Sequence, residues 1–386
     1  MSPAVSPTIG GRCDPRFSAV RDAFACNFTD HSEVGAAVCI VVDDRVVTDL
    51  WAGSADQAGT RPWGPDTLVN VFSVGKAMIA TCVARLIGQG RLDAEAPVIS
   101  YWPEFGAAGK DNVTVAQVLC HQAGLPAVRA PLPDGAMLDW VAMTTALEQQ
   151  EPWWTPGAEL GYHVNTFGFL AGELVRRVSG ETPGAFLRNH VTGPINADVH
   201  IGLAEREDGR VAELSWDLGP QWSGDRSTLS EAQLMEYCAY FNPSGISGIG
   251  VVNTRAWRAA EIPSTNAHAT ARGVARVYHA LVCGGALDGT RLVDEGALRD
   301  SVAERARGED LILHKPARFG LGFQLTQPER PLGPNQSAFG HFGAGGSLGF
   351  ADPDAGVAFG YVMNHMGPRW QNPRNRGLID ALYASL

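Results

Sequence analysis

The chain has 386 residues, 45% apolar and 18% charged, a globular composition that can bury a core without disulfide or metal staples. Its formal charge of −11, with no basic run, argues against a nucleic-acid partner or an anionic membrane surface. Met1 to Arg16 lacks an apolar core of signal-peptide length, and the longest apolar stretch, near Ala36 to Val42, is too short for a membrane span. Seven cysteines, odd in number and without a CxxC pair, read as reduced thiols in a cytoplasmic chain.

In chain order, a helix is expected from Asp14 to about Cys26, capped by Asp14, opened by Pro15 and apolar on the face of Phe17, Val20 and Phe24. A hairpin follows: Ala36 to Val42 runs out, Asp43-Asp44 turns, and Val46 to Trp51 returns. Helical patterns occupy Lys76 to Gly90, Val115 to Gln122, Leu138 to Gln149, Phe167 to Ser179, Glu231 to Phe241 and Thr270 to Val282. Asp198 to Ser230 is polar and Gly-rich, and reads as a long surface excursion. Strands are expected at Phe319 to Thr326, Ser347 to Ala351 and Val357 to Asn364, the last two joined by the turn Asp352 to Gly356. Arg374 to Leu386 closes the chain with Leu378, Ile379, Leu382 and Tyr383 at helical spacing.

An isolated hairpin is marginal in water, so the hairpin and the last three strands are expected to share one sheet. The fold class is therefore α/β of the α+β type: an antiparallel sheet with both terminal helices on one face and a mostly helical inserted lobe. Residues 1–80 and 270–386 form the sheet domain in this reading, and 81–269 the inserted one. A cleft between the two is where a ligand site is expected.

Three segments carry chemistry. Ser73-Val74-Gly75-Lys76 stands where an extended run becomes a helix, so residues i and i+3 share a face and the Lys76 amine can lie beside the Ser73 hydroxyl. Serine needs an adjacent base to become a nucleophile, and burial lowers a lysine pKa enough to supply one. The helix N-terminus adds free N–H groups for a developing oxyanion. The bland alternative makes Ser73 a helix cap and Lys76 a surface residue. A positive charge in the first turn, amid Val71, Phe72, Ala77, Met78 and Ile79, is electrostatically misplaced for that role. Tyr162, after the turn Trp153-Trp154-Thr155-Pro156-Gly157, can shuttle a proton if it faces that lysine; otherwise its ring merely packs. Gly340 to Gly349 is a glycine-rich strand and turn where a ligand or a second backbone can approach closely. It also contains Gly345-Gly346-Ser347-Leu348-Gly349, but a strand follows where a nucleophile elbow needs a helix, so Ser347 is not the expected nucleophile. The histidines show no zinc spacing, and no phosphate loop or dinucleotide fingerprint is present, so no metal or cofactor is expected.

Taken in order, Ser73-x-x-Lys76, Tyr162 and His341-Phe342-Gly343 resemble the three motifs of the serine β-lactamase and penicillin-binding protein superfamily. The closest branch is that of class C β-lactamases and family VIII carboxylesterases. Val115 to Pro126, with Leu119, His121, Gly124, Leu125 and Pro126, is similar to another segment of that family. The resemblance implies a β-lactamase/transpeptidase-like fold, with Ser73 acylated, Lys76 and Tyr162 moving the proton, and the N–H groups of Ser73 and Ala344 forming the oxyanion hole. His341, Gly343, Trp154 and Gln122 are the expected substrate contacts. Two positions depart from the β-lactamases of this branch. Val164 stands where they carry Asn, with Asn165 one residue late but able to swing in, and His341 replaces the Lys that opens their third motif. The expected activity is hydrolysis of a small-molecule ester through an acyl-enzyme. A β-lactamase or an acyltransferase would use the same residues, and an inactive ligand-binding homologue would not need a buried Lys beside a Ser.

Overall fold

The structure, a computed structural model, describes residues 7–216 and 226–386. Nine antiparallel strands form the main sheet in the order Gly10–Cys13, Arg45–Gly53, Gly35–Val42, Val357–Met363, Leu348–Asp352, Phe339–Phe342, Gln324–Leu325, Lys315–Phe319 and Ala306–Asp310. The expected hairpin is therefore there, and the two chain ends meet at its centre. Every residue of Gly35–Val42 is buried, as its unbroken apolar run requires of a strand covered on both faces.

On one face lie the two terminal helices. The Asp14 carboxylate accepts the Arg16 N–H at 3.0 Å and closes a tight 3-10 turn, Pro15–Phe17, so the α-helix begins at Ser18 and ends at Asp30, later at both ends than expected. Phe17, Val20 and Phe24 pack there with Leu378, Ile379 and Leu382 of the helix Pro373–Ala384. On the other face lies the helix Ala271–Val282. Gly349 and Gly360 let it settle on the sheet: a Cβ there would come within 2.2 Å of the Tyr278 ring and 2.4 Å of the Ala271 carbonyl.

The helix Val74–Gly88 is buried along nearly its whole length, as an all-round apolar sequence demands, and packs on Thr166–Ser179. Among the described residues, no helix is long and apolar enough to cross a membrane.

Several expectations are corrected. The single strand expected at Phe319 to Thr326 is two, Lys315–Phe319 and Gln324–Leu325, divided by a turn at 320–323 with Gly322 at φ +84°. The helix expected to reach Gln122 ends at Leu119, because His121 takes a left-handed conformation at φ +66°. Gly10–Cys13 and Ala306–Asp310 were not expected as strands. Both are edge strands, and the charges and glycines that suit an edge erase the alternating pattern. The excursion expected from Asp198 to Ser230 is only partly superficial, since Val199, Ile201, Leu203, Val211, Ala212 and Leu214 are buried. Its residues 217–225 lie outside the described residues.

Candidate active site

The short strand Val69–Asn70 leads toward the helix Val74–Gly88 through Phe72, whose φ of +48° is a left-handed conformation that bulky residues rarely adopt. Such a backbone costs on the order of 1–3 kcal/mol and persists only where the surroundings enforce it. Here the Phe72 ring is buried and the turn delivers Ser73 to the N-cap of the helix. Ser73 makes no side-chain capping bond. Its Oγ instead lies 3.1 Å from Lys76 Nζ.

Lys76 is fully buried. Its Nζ also reaches the carbonyl oxygens of Val164 at 2.5 Å and Ser264 at 3.3 Å, and it sits 4.7 Å from the centre of the Tyr162 ring. Burial holds its pKa well below the usual lysine value. Two carbonyls and one hydroxyl thus occupy the three hydrogen-bonding positions of the amine.

Tyr162 is also fully buried, and burial drives its pKa well above 10, with the Ser73 hydroxyl pulling the other way. Its hydroxyl completes no hydrogen bond of good geometry. Phe319 stacks on its ring at 6.1 Å, Trp370 meets it edge-on at 5.0 Å, and His121 tilts against it at 4.9 Å. The Tyr162 N–H donates to the Asp310 carboxylate at 3.0 Å, which fixes the backbone.

His341 lies on the strand Phe339–Phe342, with its ring centre 6.1 Å from that of Tyr162. Burial first, then the nearby Lys76, lowers its pKa well below 6.5, so the imidazole is neutral. Its Nδ1 lies 2.7 Å from the Phe342 carbonyl and so carries the proton, leaving Nε2 an acceptor without a partner. Gly343 follows, and its N–H donates to the Ser347 carbonyl at 2.7 Å. A Cβ on Gly343 would come within 2.3 Å of the Val71 carbonyl, so only glycine lets the third motif close against the segment that carries Ser73. Ala344 opens a 3-10 turn, Ala344–Gly346. Among the described residues, neither the Ser73 nor the Ala344 N–H donates to a protein acceptor.

The fold thus brings Ser73, Lys76, Tyr162, His341, Gly343 and Ala344 together from three separate parts of the chain. Trp154 and Gln122 make their contacts to neighbouring loop residues instead. Trp154 packs on Gly161 and meets His163 edge-on at 6.2 Å. Gln122 accepts the Gly157 N–H on its carbonyl and the Cys120 thiol on its side chain. Asn165 does not swing toward the vacant position. Its amide donates to Ala239 O at 2.7 Å and Ser247 Oγ at 3.1 Å and accepts from Thr265 at 2.6 Å, so Val164 presents only an aliphatic side chain there. Ser347 is sealed in the interior.

Sequence reasoning missed the supports. His121 Nδ1 accepts the His163 N–H at 3.1 Å, and His163 Nε2 accepts the Leu125 N–H at 3.1 Å. Burial lowers the pKa of both, that of His163 to about 3, so each is a neutral packing group. Trp370 and Ser264 were also missed. Of these, only His121 was marked in the sequence, by its place in the segment Val115 to Pro126, and without a role; an Asn372-Pro373 helix start near Trp370 is the one further local signal. Away from Ser73, Asp44, His279 and Cys283 converge with ligand atoms within 4.8 Å. His279 and the Cys283 thiol both meet the same Asp44 oxygen, at 2.8 and 3.3 Å, which satisfies them as hydrogen-bonding groups.

A family model described as Beta-lactamase matches residues 20–384. The chain belongs to the beta-lactamase family. Within that family it is similar to the esterase/beta-lactamase LipL of Mycobacterium tuberculosis, at 36% identity over 94% of this chain and 85% of LipL. Among solved structures it resembles a family VIII carboxylesterase at 42% identity and a TM-score of 0.91, over 98% of this chain and all of that one. A penicillin-binding protein homologue from Caulobacter crescentus gives the same identity, TM-score and coverage. The chain is a hydrolase of the serine beta-lactamase superfamily.

Proposed function

We propose that this beta-lactamase-family protein is a serine carboxylesterase that works through an acyl-enzyme on Ser73. The observation that carries the reading is the fully buried Lys76 amine, 3.1 Å from Ser73 Oγ, with its pKa lowered and its two N–H donors directed at backbone carbonyls. Its remaining lone pair can take the Ser73 proton as Oγ attacks the ester carbonyl carbon. The Ser73 and Ala344 N–H groups receive the oxyanion. Tyr162, kept protonated by burial, gives a proton to the leaving alcohol as the ester C–O bond breaks, and Lys76 re-protonates it. Water then attacks the acyl-enzyme by the reverse proton route, releasing the acid and restoring Ser73. Opposite pKa displacements of two adjacent groups divide the base role from the acid role.

Esters fit this site better than β-lactams do. A penicillin or cephalosporin brings a carboxylate, and the third-motif position here holds a neutral His341 in place of a fixed cation. The amide that β-lactamases of this branch place two residues after the tyrosine is replaced by Val164, and Asn165 is committed elsewhere. Each missing hydrogen bond to a charged or buried group costs about 1–3 kcal/mol. His341 and Gly343 border the acyl site in this proposal, and Trp154 and Gln122 contact the loop that precedes Tyr162.

The test is kcat/KM for nitrophenyl butyrate and for nitrocefin on one preparation, with fluorophosphonate labelling mapped to a residue. Ester turnover should dominate, the label should fall on Ser73, and Ser73→Ala should abolish both. Equal or better efficiency on nitrocefin would make β-lactam hydrolysis the primary activity.

A further inference from the structure

The loop that carries the Ala344 N–H has little stiffness of its own. Two of its three residues are glycines at positive φ, +79° for Gly345 and +123° for Gly346, and no side chain of the loop holds them. What holds them comes from the segment Gly367 to Asn375, further along the chain. The Gly345 carbonyl accepts the Gly367 N–H at 2.8 Å and the Asn372 side-chain N–H at 3.1 Å. The Gly346 carbonyl accepts the Asn375 side-chain N–H at 2.9 Å. Asn375 donates its other amide proton to the Trp370 carbonyl at 2.7 Å, and the Trp370 ring is the one that meets Tyr162 edge-on. A single buried amide therefore ties the oxyanion loop to the residue that braces Tyr162.

Both side chains also have a local duty. Asn372 Oδ1 accepts the Arg374 N–H and Asn375 Oδ1 accepts the Asn372 N–H, each at 3.1 Å, forming the cap of the helix Pro373–Ala384. Capping accounts for the two oxygens. It does not account for the two amide nitrogens, which reach across to the loop.

We propose that Asn375, assisted by Asn372, is a positioning residue that fixes the Ala344 N–H at the distance an oxyanion requires and holds it in register with Tyr162. This rests on the esterase reading above, in which Ala344 supplies an oxyanion donor. Oxyanion stabilisation depends on donors 2.7–3.1 Å from the developing charge, and a displacement of about 1 Å in a supporting element can cost about a hundredfold in rate. The bonds to be strengthened exist only in the transition state, so displacing the donor lowers kcat and leaves substrate binding nearly unchanged.

Asparagine to aspartate separates the two duties, because aspartate keeps the capping oxygen and loses the donors. Asn375→Asp and Asn372→Asp are compared with the wild type and with Ile379→Val, a packing change in the same helix. The readouts are kcat and KM for nitrophenyl butyrate, and the Kd of an alkyl trifluoromethyl ketone, whose adduct with Ser73 carries an oxyanion. Each folded aspartate variant should lose at least about tenfold in kcat with KM within about twofold, and should bind the ketone more weakly by a similar factor. Ile379→Val should lower thermal stability without either effect. If Asn375→Asp does not fold, Asn372→Asp, which breaks only the bonds from the less buried amide, decides the matter. Wild-type kcat in a folded aspartate variant, or a kcat loss with unchanged ketone affinity, overturns the proposal. A wild-type chain inert toward the ester and unlabelled at Ser73 overturns the esterase reading instead, and is seen before any variant is compared.

Discussion

Replacing Lys76 by methionine removes the amine while keeping an unbranched apolar side chain of similar length. In the folded protein Lys76 Nζ donates to the Val164 and Ser264 carbonyls and faces Ser73 Oγ. Leaving a buried carbonyl without its donor costs about 1–3 kcal/mol, so the two carbonyls set a ceiling of about 6 kcal/mol of lost stability. Relief from burying an amine offsets part of that. The offset depends on pH, and its sign follows from linkage. The folded-state pKa of Lys76 lies well below that of the unfolded chain, so between those two values the unfolded state binds more protons. Wild-type stability therefore rises with pH through that window and loses this contribution as pH falls, whereas Lys76→Met lacks the slope. The stability gap between wild type and variant should widen as pH rises toward the ordinary lysine pKa. Losing the proposed general base should cost about 10²–10⁴ in kcat, or roughly 2.7–5.4 kcal/mol of barrier. The assay is nitrophenyl butyrate hydrolysis across a pH series, with thermal unfolding followed by circular dichroism at each pH. A variant within about fivefold of wild-type kcat, or a gap that stays flat or narrows with rising pH, refutes the reasoning.

Tyr162→Phe gives the contrasting result. The hydroxyl it removes completes no hydrogen bond, so a urea titration should show stability unchanged or raised by about 1 kcal/mol while kcat falls at least about a hundredfold. A loss confined to KM would assign Tyr162 to binding. Gly343→Ala places a Cβ 2.3 Å from the Val71 carbonyl and forces the third motif away from the Ser73 segment. Thermal unfolding and ester kinetics should show about 1–3 kcal/mol of lost stability, with kcat down at least about tenfold. Unchanged values of both would mean that the two segments do not need this close approach.

Much of the fold is legible in short stretches of residues. The helix Glu231–Phe241 begins at a Ser230–Gln233 capping box, and Val115–Leu119 at a Thr114–Gln117 box. The hairpin Gly35–Val42 to Arg45–Gly53 turns at Asp43-Asp44, both at positive φ, as an Asp-Asp pair between apolar runs suggests. Lys315–Phe319 was harder to see because Lys315, Pro316 and Arg318 interrupt any alternation, and its pairing depends on Ala306–Asp310 beside it. Of the site, Ser73 and Lys76 share a helical face by local geometry alone, and this could be read directly. His121 and His163 gave no local sign of their fixed, neutral state, which follows from burial by surrounding aromatic groups.

The sequence by itself determined which residues could form the chemistry: a serine and a lysine one helical turn apart, a tyrosine, and a glycine-rich strand. It also determined the caps, turns and apolar faces, because those depend on neighbours within a few positions. Only the tertiary structure decided that Val71 and Gly343 touch across 272 positions (343 − 71), that Lys76 is stripped of water and Tyr162 kept protonated, and that Asn165 is turned away. The physical reason is range. Propensity and periodicity act through the chain over a turn or two, whereas desolvation and close backbone approach depend on which distant segments the packed core forces into contact.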